Sequence, residues 1–294
     1  MASHLNLKSF AKINWTLDVL HRRDDGYHEL RTIYQTVSLH DSLSLTETSG
    51  AIEVACDDQR VPTDQSNLAY KAALRFREVI GQKRGVRIEI RKRIPVAGGL
   101  GGGSSNAAAV LLALGRMWNA DIDERVLIEV AAGLGSDVPF FLIGGTALGV
   151  GRGEEVYSIS QSRCDHILLV NPGFAVPTVD AYARVSRLTR VRGTLIIPFT
   201  FWAAKGISEL PYDVRNDLEE AILPAYPEIA EVKRRLFEAG ARMALMSGSG
   251  ATVFGVFDNS ETLRRAAEVM RAIGYWAESA RTIDRQTYQG AIFE

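Results

Sequence analysis

Residues 95–105 read PVAGGLGGGSS, with five glycines among positions 98–103 and two serines behind them. The chemistry such a run offers is the holding of a polyanion. Glycine lets the main chain approach a ligand closely and take positive φ. An alanine-rich stretch follows at once and predicts a helix over 104–117. Its first turn presents unpaired N–H groups and the positive end of the helix dipole. Main-chain donors and dipole together make a phosphate site. The candidate set is Pro95, Val96, Ala97, Gly98, Gly99, Leu100, Gly101, Gly102, Gly103, Ser104 and Ser105, with two hydroxyls available to phosphate oxygens or a bound cation. Neither of the best-known phosphate motifs is present. Ser104 stands where G-x-x-x-x-G-K-[ST] needs lysine, and G-x-G-x-x-G starting at Gly99 would need glycine at 104. An idle surface loop is the plainer alternative; a strand pattern before the run and an uncharged helix after it argue for a built one.

Phosphoryl transfer asks a protein for alignment, a cation to meet developing charge and a carboxylate to take the acceptor's proton. Lys12 and Asp137 are the candidates. Ala11, Ile13, Trp15, Leu17 and Val19 alternate with Lys12, Asn14, Thr16 and Asp18, which predicts a strand with one apolar face and one polar face. Asp137 lies in GSDVPFF, where a short helix can begin. On pattern alone each has a duller reading: Lys12 as a solvated strand residue, Asp137 as the cap of a turn at 138–142.

These residues need a scaffold, and the chain is long enough for one. It has 294 residues, 46% hydrophobic and 23% charged, which predicts one large or two ordinary packed domains. Further strands are expected at 33–39, 42–45, 52–55, 86–94, 166–170, 244–247 and 252–257. Helices are expected from Ser66 or Asn67 to about 80, and at 124–134, 178–187, 227–239 and 261–273. Strands and helices mix without regular βαβ alternation, so the expected class is α+β, with a boundary near 160–165. The formal net charge of −1 gives no field for nucleic acid or an anionic membrane. The basic cluster Lys83, Arg84, Arg87, Arg91, Lys92 and Arg93 is interrupted by Glu89 and reads as a solvated strand face. Cys56 and Cys164 lie far apart and read as reduced thiols of a cytoplasmic protein. The expected partner is a small molecule, with no nucleic acid and no membrane, and the expected state is a monomer or weak homodimer.

PVAGGLGGGSSNAAA resembles the phosphate loop of the galactokinase, homoserine kinase, mevalonate kinase and phosphomevalonate kinase (GHMP) superfamily, and LMSGSGATVFG resembles its third motif. The opening AKINWTLDVLHRRDDGYHEL, with SNLAYKA, GSDVPFF and NPGFAVPT, looks like one branch, which phosphorylates a cytidine diphosphate-linked methylerythritol. The resemblance implies a two-domain α+β GHMP kinase fold. Residues 1–163 would form a ribosomal protein S5 domain 2-like domain, and residues 164–294 a ferredoxin-like α/β sandwich completing the cleft. It implies ATP as donor, Mg²⁺ with the nucleotide, and transfer to the 2-hydroxyl, a step of non-mevalonate isoprenoid precursor synthesis. By position, Asp137 matches the base and Lys12 its charge-stabilising partner, while Asn14 matches a contact to the alcohol. Tyr27 and His28 match the cytosine pocket, with Thr178 and Tyr182 on its other side, so that the base would lie between Tyr27 and Tyr182. Asn67 and Lys92 match contacts on the nucleotide side. Stacking accepts any base, so selectivity would fall to hydrogen bonds from His28. The match departs at Ala97, where the branch often has glycine. Ser105 is a candidate Mg²⁺ ligand, and the pair Asn216-Asp217 resembles one in the family to which no physical role is attached.

Overall fold

The computed structural model describes residues 3–185 and 214–293. The chain opens with two long strands, β1 (His4–Arg22) and β2 (His28–Thr48), joined by a turn at Gly26, whose φ is +87°. There follow β3 (Ile52–Cys56), α1 (Leu68–Val79), β4 (Gly85–Arg91), α2 (Gly102–Met117), α3 (Glu124–Leu134), α4 (Phe140–Ile143), β5 (Thr146–Gly151) and β6 (Glu155–Ser158). The second half contains β7 (Ile167–Asn171), α5 (Thr178–Val185), α6 (Glu219–Ala225), α7 (Pro227–Glu238), β8 (Met243–Met246), β9 (Val253–Val256), α8 (Ser260–Ala272), β10 (Trp276–Ala280) and α9 (Arg285–Ala291). The last two residues of the helix expected at 178–187 lie outside the described residues.

Two sheets result. The first runs β3-β4-β2-β5-β6 with β1 paired along the other edge of β2, and the second runs β10-β7-β9-β8. Among the pairs of described strands β3–β4 is the parallel one, and the isolated bridge between Leu17 and Asn216 is parallel too. The expected strands 33–39 and 42–45 are one continuous strand, β2, which β4 and β5 share along one edge.

Ala11, Ile13 and Trp15 put their apolar face against the second sheet, where they meet Ile167, Leu169 and Phe254. Trp15 and Phe254 pack edge to face at 5.5 Å, an arrangement that suits two ring quadrupoles. On the far side of the first sheet lie α1 to α4, and on the far side of the second lie α5 to α8, each with its own buried cluster. In α1, Ala69, Ala72, Ala73 and Phe76 form the buried stripe. Phe76 touches Trp118 at 5.9 Å, and Phe76→Ala would cost roughly 3–5 kcal/mol in lost burial and cavity. Residues 283–293 return to the first sheet: Lys8 N donates to Ile292 O at 2.8 Å, and Tyr288 and Ile292 belong to the α1–α4 core.

Burial changes one expectation. Lys12 and Asn14 do lie on the face opposite Ala11 and Ile13, but that face is covered, leaving them 3% and 1% exposed. A solvated strand lysine is thereby excluded. A register shift between Asn14 and Thr16 marks an irregularity in this strand's pairing with β2, next to Asn14.

A cleft between the glycine loop and the first hairpin

A single cleft of about 1210 Å³ collects most of the candidate residues. Val61, Pro62, Asn67 and Lys92 lie along its wall with the glycine loop. Lys12, Asn14, Tyr34 and Asp137 line it too, as do Tyr27, His28, Arg152, Thr178 and Tyr182. Of residues 95–105, Leu100 and Ser105 are not in the lining. Leu100 is 1% exposed and belongs to the core between the sheets, where apolar burial holds it. Ser105 is equally buried, and its Oγ accepts from Ser9 Oγ at 2.7 Å. It therefore faces the protein and not a cation in the cleft.

The glycines serve packing as well as approach. Gly101 has φ +71°, and a Cβ there would strike Phe141 at 2.8 Å and Lys12 at 3.0 Å. It precedes α2 and, lacking a side chain, makes no cap bond, so the first N–H groups of α2 are left for the cleft. Gly99 backs onto the third motif: Ser247 Oγ donates to its carbonyl at 2.9 Å. Ala97 takes φ +52°, a left-handed conformation costly for any residue with a Cβ.

Lys92 is not on a solvated face. Its side chain is 7% exposed and pairs with Asp41, which is fully buried. Asp41 also accepts from Arg93 N at 2.8 Å, Ile94 N at 2.9 Å and Asn106 Nδ2 at 3.0 Å. So strand β4's exit, α2 and β2 are tied at one carboxylate, and the desolvation of both charges is offset by these bonds. Asn67 uses its amide on its own chain: Oδ1 caps α1 by accepting Ala69 N at 2.8 Å, and Nδ2 donates to Pro62 O at 2.6 Å.

At the centre, Lys12 Nζ donates to Asn14 Oδ1 at 2.7 Å and lies 3.3 Å from Asp137 Oδ2. Asn14 Nδ2 in turn donates to Thr32 Oγ1 at 2.7 Å, which fixes its amide orientation. Asp137 does not spend its oxygens capping the 138–142 turn. Oδ2 faces Lys12 and Oδ1 accepts from Tyr34 Oη at 2.9 Å. Tyr34 was not among the residues singled out from the sequence. Burial first, then the charge of Asp137, holds its phenol well above the usual range, so it stays a donor.

In the aromatic pocket, His28 stacks on Tyr182 with centroids 5.6 Å apart and planes at 22°. Tyr27 is 55% exposed, with the Arg152 guanidinium over its ring at 4.9 Å. Any base held between Tyr27 and Tyr182 must thus share Tyr182 with His28. Burial, aided by Arg22, lowers the His28 pKa below the ordinary imidazole value, so the ring is neutral at pH 7.

The pair Asn216-Asp217 now has a place. Asn216 Nδ2 donates to Met246 O at 2.8 Å and Gly248 O at 2.7 Å, pinning the third motif. Asp217 Oδ2 accepts from Val19 N at 2.9 Å, and Arg215 pairs with Asp18 and Asp217. Together they fasten the 246–250 loop to β1. A Cβ on Gly248 would come to 3.1 Å from both Lys12 Nζ and Gly99 O, so a side chain here would press on the lysine and the glycine loop.

The fold and its glycine loop define a class. Residues 67–145 match the model for the GHMP kinases N terminal domain, and residues 202–275 match that for GHMP kinases C terminal. A homoserine kinase from Cytophaga hutchinsonii shares the fold with a TM-score of 0.67 at 19% identity, covering 97% of this chain and 96% of its own. Kinases of this class take ATP as phosphate donor.

A narrower likeness is also present. A 4-diphosphocytidyl-2-C-methyl-D-erythritol kinase of Geobacter sulfurreducens is 44% identical over 280 residues, spanning 95% of this chain and 99% of that protein. One from Thermodesulfovibrio yellowstonii is 37% identical over 286 residues, spanning 95% and 98%. The crystal structure of a 4-(cytidine 5'-diphospho)-2C-methyl-D-erythritol kinase superposes with a TM-score of 0.80 at 38% identity, covering 95% of this chain and all of that one. The chain belongs to the 4-diphosphocytidyl-2-C-methyl-D-erythritol kinase family of the GHMP kinases. Among the described residues, no helix is long and apolar enough to cross a membrane.

Proposed function

We propose that this protein transfers the γ-phosphoryl group of ATP to the 2-hydroxyl of 4-diphosphocytidyl-2-C-methyl-D-erythritol, giving the 2-phosphate and ADP. The observation that carries the reading is the ion pair of Lys12 and Asp137 at 3.3 Å, facing the glycine loop across one cleft. Asp137 takes the proton of the alcohol, Lys12 meets the charge that develops on the transferring group, and Asn14 directs its second amide hydrogen to the alcohol. The backbone of residues 95–99 and 101–104, together with Lys92, faces the triphosphate. The alcohol is tertiary and crowded, so its rate depends on alignment, and the distant cytidine contributes the binding energy for that alignment. Tyr27 and Tyr182 stack on cytosine, Thr178 borders it, and His28 reads its polar edge. A Mg²⁺ arriving with ATP fits a site made chiefly of phosphate oxygens and water. Among the described residues, no group of three or more His, Cys, Asp or Glu side chains gathers to hold a metal. The chain divides near residue 163 into the two sheets, with residues 283–293 belonging to the first. The acceptor is a small molecule; we further propose that the protein acts in the cytoplasm, as a monomer or weak homodimer, without nucleic acid or membrane.

One assay tests the reading: ADP release with ATP and each of 4-diphosphocytidyl-2-C-methyl-D-erythritol, mevalonate and homoserine. Turnover is expected with the cytidine compound alone. Turnover with mevalonate or homoserine only would overturn the substrate, and ATP binding without turnover on any alcohol would overturn the enzyme.

A further inference from the structure

Asp137 has two oxygens, and the protein treats them differently. Oδ2 lies beside the Lys12 ammonium at 3.3 Å, whereas Oδ1 accepts the Tyr34 hydroxyl at 2.9 Å. Tyr34 reaches that point from β2, paired with Asn14 in the β1–β2 ladder, and is 2% exposed. Its ring stacks on Phe140 at 4.8 Å, in the short helix three residues beyond Asp137. Room for it is made by two glycines: a Cβ on Gly149 would collide with its ring, and one on Gly153 with its hydroxyl. The ring is therefore held between Phe140 and Gly149, with the Lys12 ammonium 5.6 Å from its centroid, and the hydroxyl is the group that meets the carboxylate. That hydroxyl carries one proton and has two acceptors within reach, Asp137 Oδ1 and, at 3.3 Å, the Gly153 carbonyl.

We propose that Tyr34 is a positioning residue that assigns the roles of the two carboxylate oxygens, holding Oδ1 so that Oδ2 faces the acceptor alcohol and takes its proton. The inference rests on Asp137 being the base. In the step, the alcohol O–H bond breaks and its proton passes to Oδ2. The alcohol oxygen forms a bond to the γ-phosphorus, the bond between that phosphorus and the bridging oxygen breaks, and its electron pair leaves with ADP. While the carboxylate is charged, the Tyr34 proton points to Oδ1. Once Asp137 is neutral the demand on that bond falls, and Gly153 O stands ready as the second acceptor. A hydrogen bond to a charged group is worth more than one between neutral groups, so orientation is held most firmly before transfer.

The test is Tyr34→Phe beside Asp137→Asn and the double variant, each assayed for kcat, for KM of both substrates and for thermal midpoint. Tyr34→Phe keeps the ring and its packing. The expected result is a fall in kcat of at least about tenfold, as for loss of a charge-assisted hydrogen bond. Both KM values should stay within about twofold, because contacts to bound substrate are untouched. The double variant should be no slower than Asp137→Asn alone, since the hydroxyl acts only through that carboxylate. An unchanged kcat in Tyr34→Phe, or a lowered midpoint with raised KM and normal kcat, would reduce Tyr34 to packing. Full activity in Asp137→Asn would instead remove the base itself, a different failure from either of these.

Discussion

The cleft has a closed end and an open end. Around Lys12, every polar group is engaged before any ligand arrives: Lys12 with Asn14 and Asp137, Asn14 with Thr32, Asp137 with Tyr34. Around Tyr27 the walls are more open to solvent. The ring is more than half exposed, Thr178 is exposed, and His28 rests on Tyr182. The closed region has the character of a preset electrostatic site, which need not reorganise when charge moves. On the proposed reading the open region is completed by its ligand, chemistry and recognition are separated along one groove, and variants in the two regions should fail differently.

The largest effect is expected at the closed end. Asp137→Asn keeps the shape and removes the proposed proton acceptor, so turnover should fall by at least ~100-fold. Affinity for a non-hydrolysable ATP analogue, measured by titration calorimetry, should hardly change. An unchanged turnover number would remove Asp137 from the chemistry and with it the contrast. At the open end, Tyr27→Ala should raise KM for the cytidine substrate by about 5- to 150-fold. That range is the ~1–3 kcal/mol of a base stacked on an aromatic ring, and Tyr27→Phe should restore binding. Equal loss of kcat and kcat/KM with unaltered KM would place Tyr27 in the reaction instead.

A pH experiment sharpens the difference. Burial and Arg22 hold the His28 pKa down, so the neutral ring persists below the pH at which a free imidazole would charge. KM for the cytidine substrate should be flat through pH 7. It should rise only as pH falls below the ordinary histidine range, when the ring loses its acceptor nitrogen. His28→Gln should abolish that rise; if the rise survives in the variant, another group is its source. The smallest effect is expected between the two regions. Ala97 holds φ +52°, and Ala97→Gly relieves a cost of roughly 1–2 kcal/mol, partly offset by the freer unfolded chain. A thermal melt should show a modest rise in midpoint with kcat retained. A fall would mean that the methyl group contributes packing that outweighs the strain.

What the sequence makes legible is what is local. The glycine loop, the helix after it, the β1 alternation and the cap at Asn67 all declare themselves within a few residues, because 2.0 and 3.6 periodicities and cap chemistry are short-range. What stays hidden depends on partners far along the chain. Tyr34 and Asp137 are 103 residues apart, and Lys92 and Asp41 are 51 apart. The second pair explains why a basic run that looks solvated contains a buried lysine. Strand β5 escapes notice because Gly149 and Gly151 break its apolar pattern, and β6 because it is four residues long with only Val156 partly buried; Gly149 and Gly153 make room for Tyr34. Leu100 and Ser105 sit inside the motif yet face inward, since a loop strung between two sets of contacts to one buried carboxylate, at 92–94 and at Asn106, must anchor itself as well as present amides. Asn216 could be noticed only as a pair with Asp217; its two carbonyl partners lie 30 and 32 residues on.

The return of residues 283–293 to the first sheet has a bearing on biosynthesis. Phe293 bridges to Leu7, Thr282 bridges to Val37, and Tyr288 stands in the same buried cluster as Phe10. A nascent chain can assemble the second sheet's partners as they emerge, but the α1–α4 core stays unsealed until residues 283–293 have emerged too. Translation arrested ahead of Ile283 would leave the first sheet's layer with an open apolar seam, a substrate for chaperones.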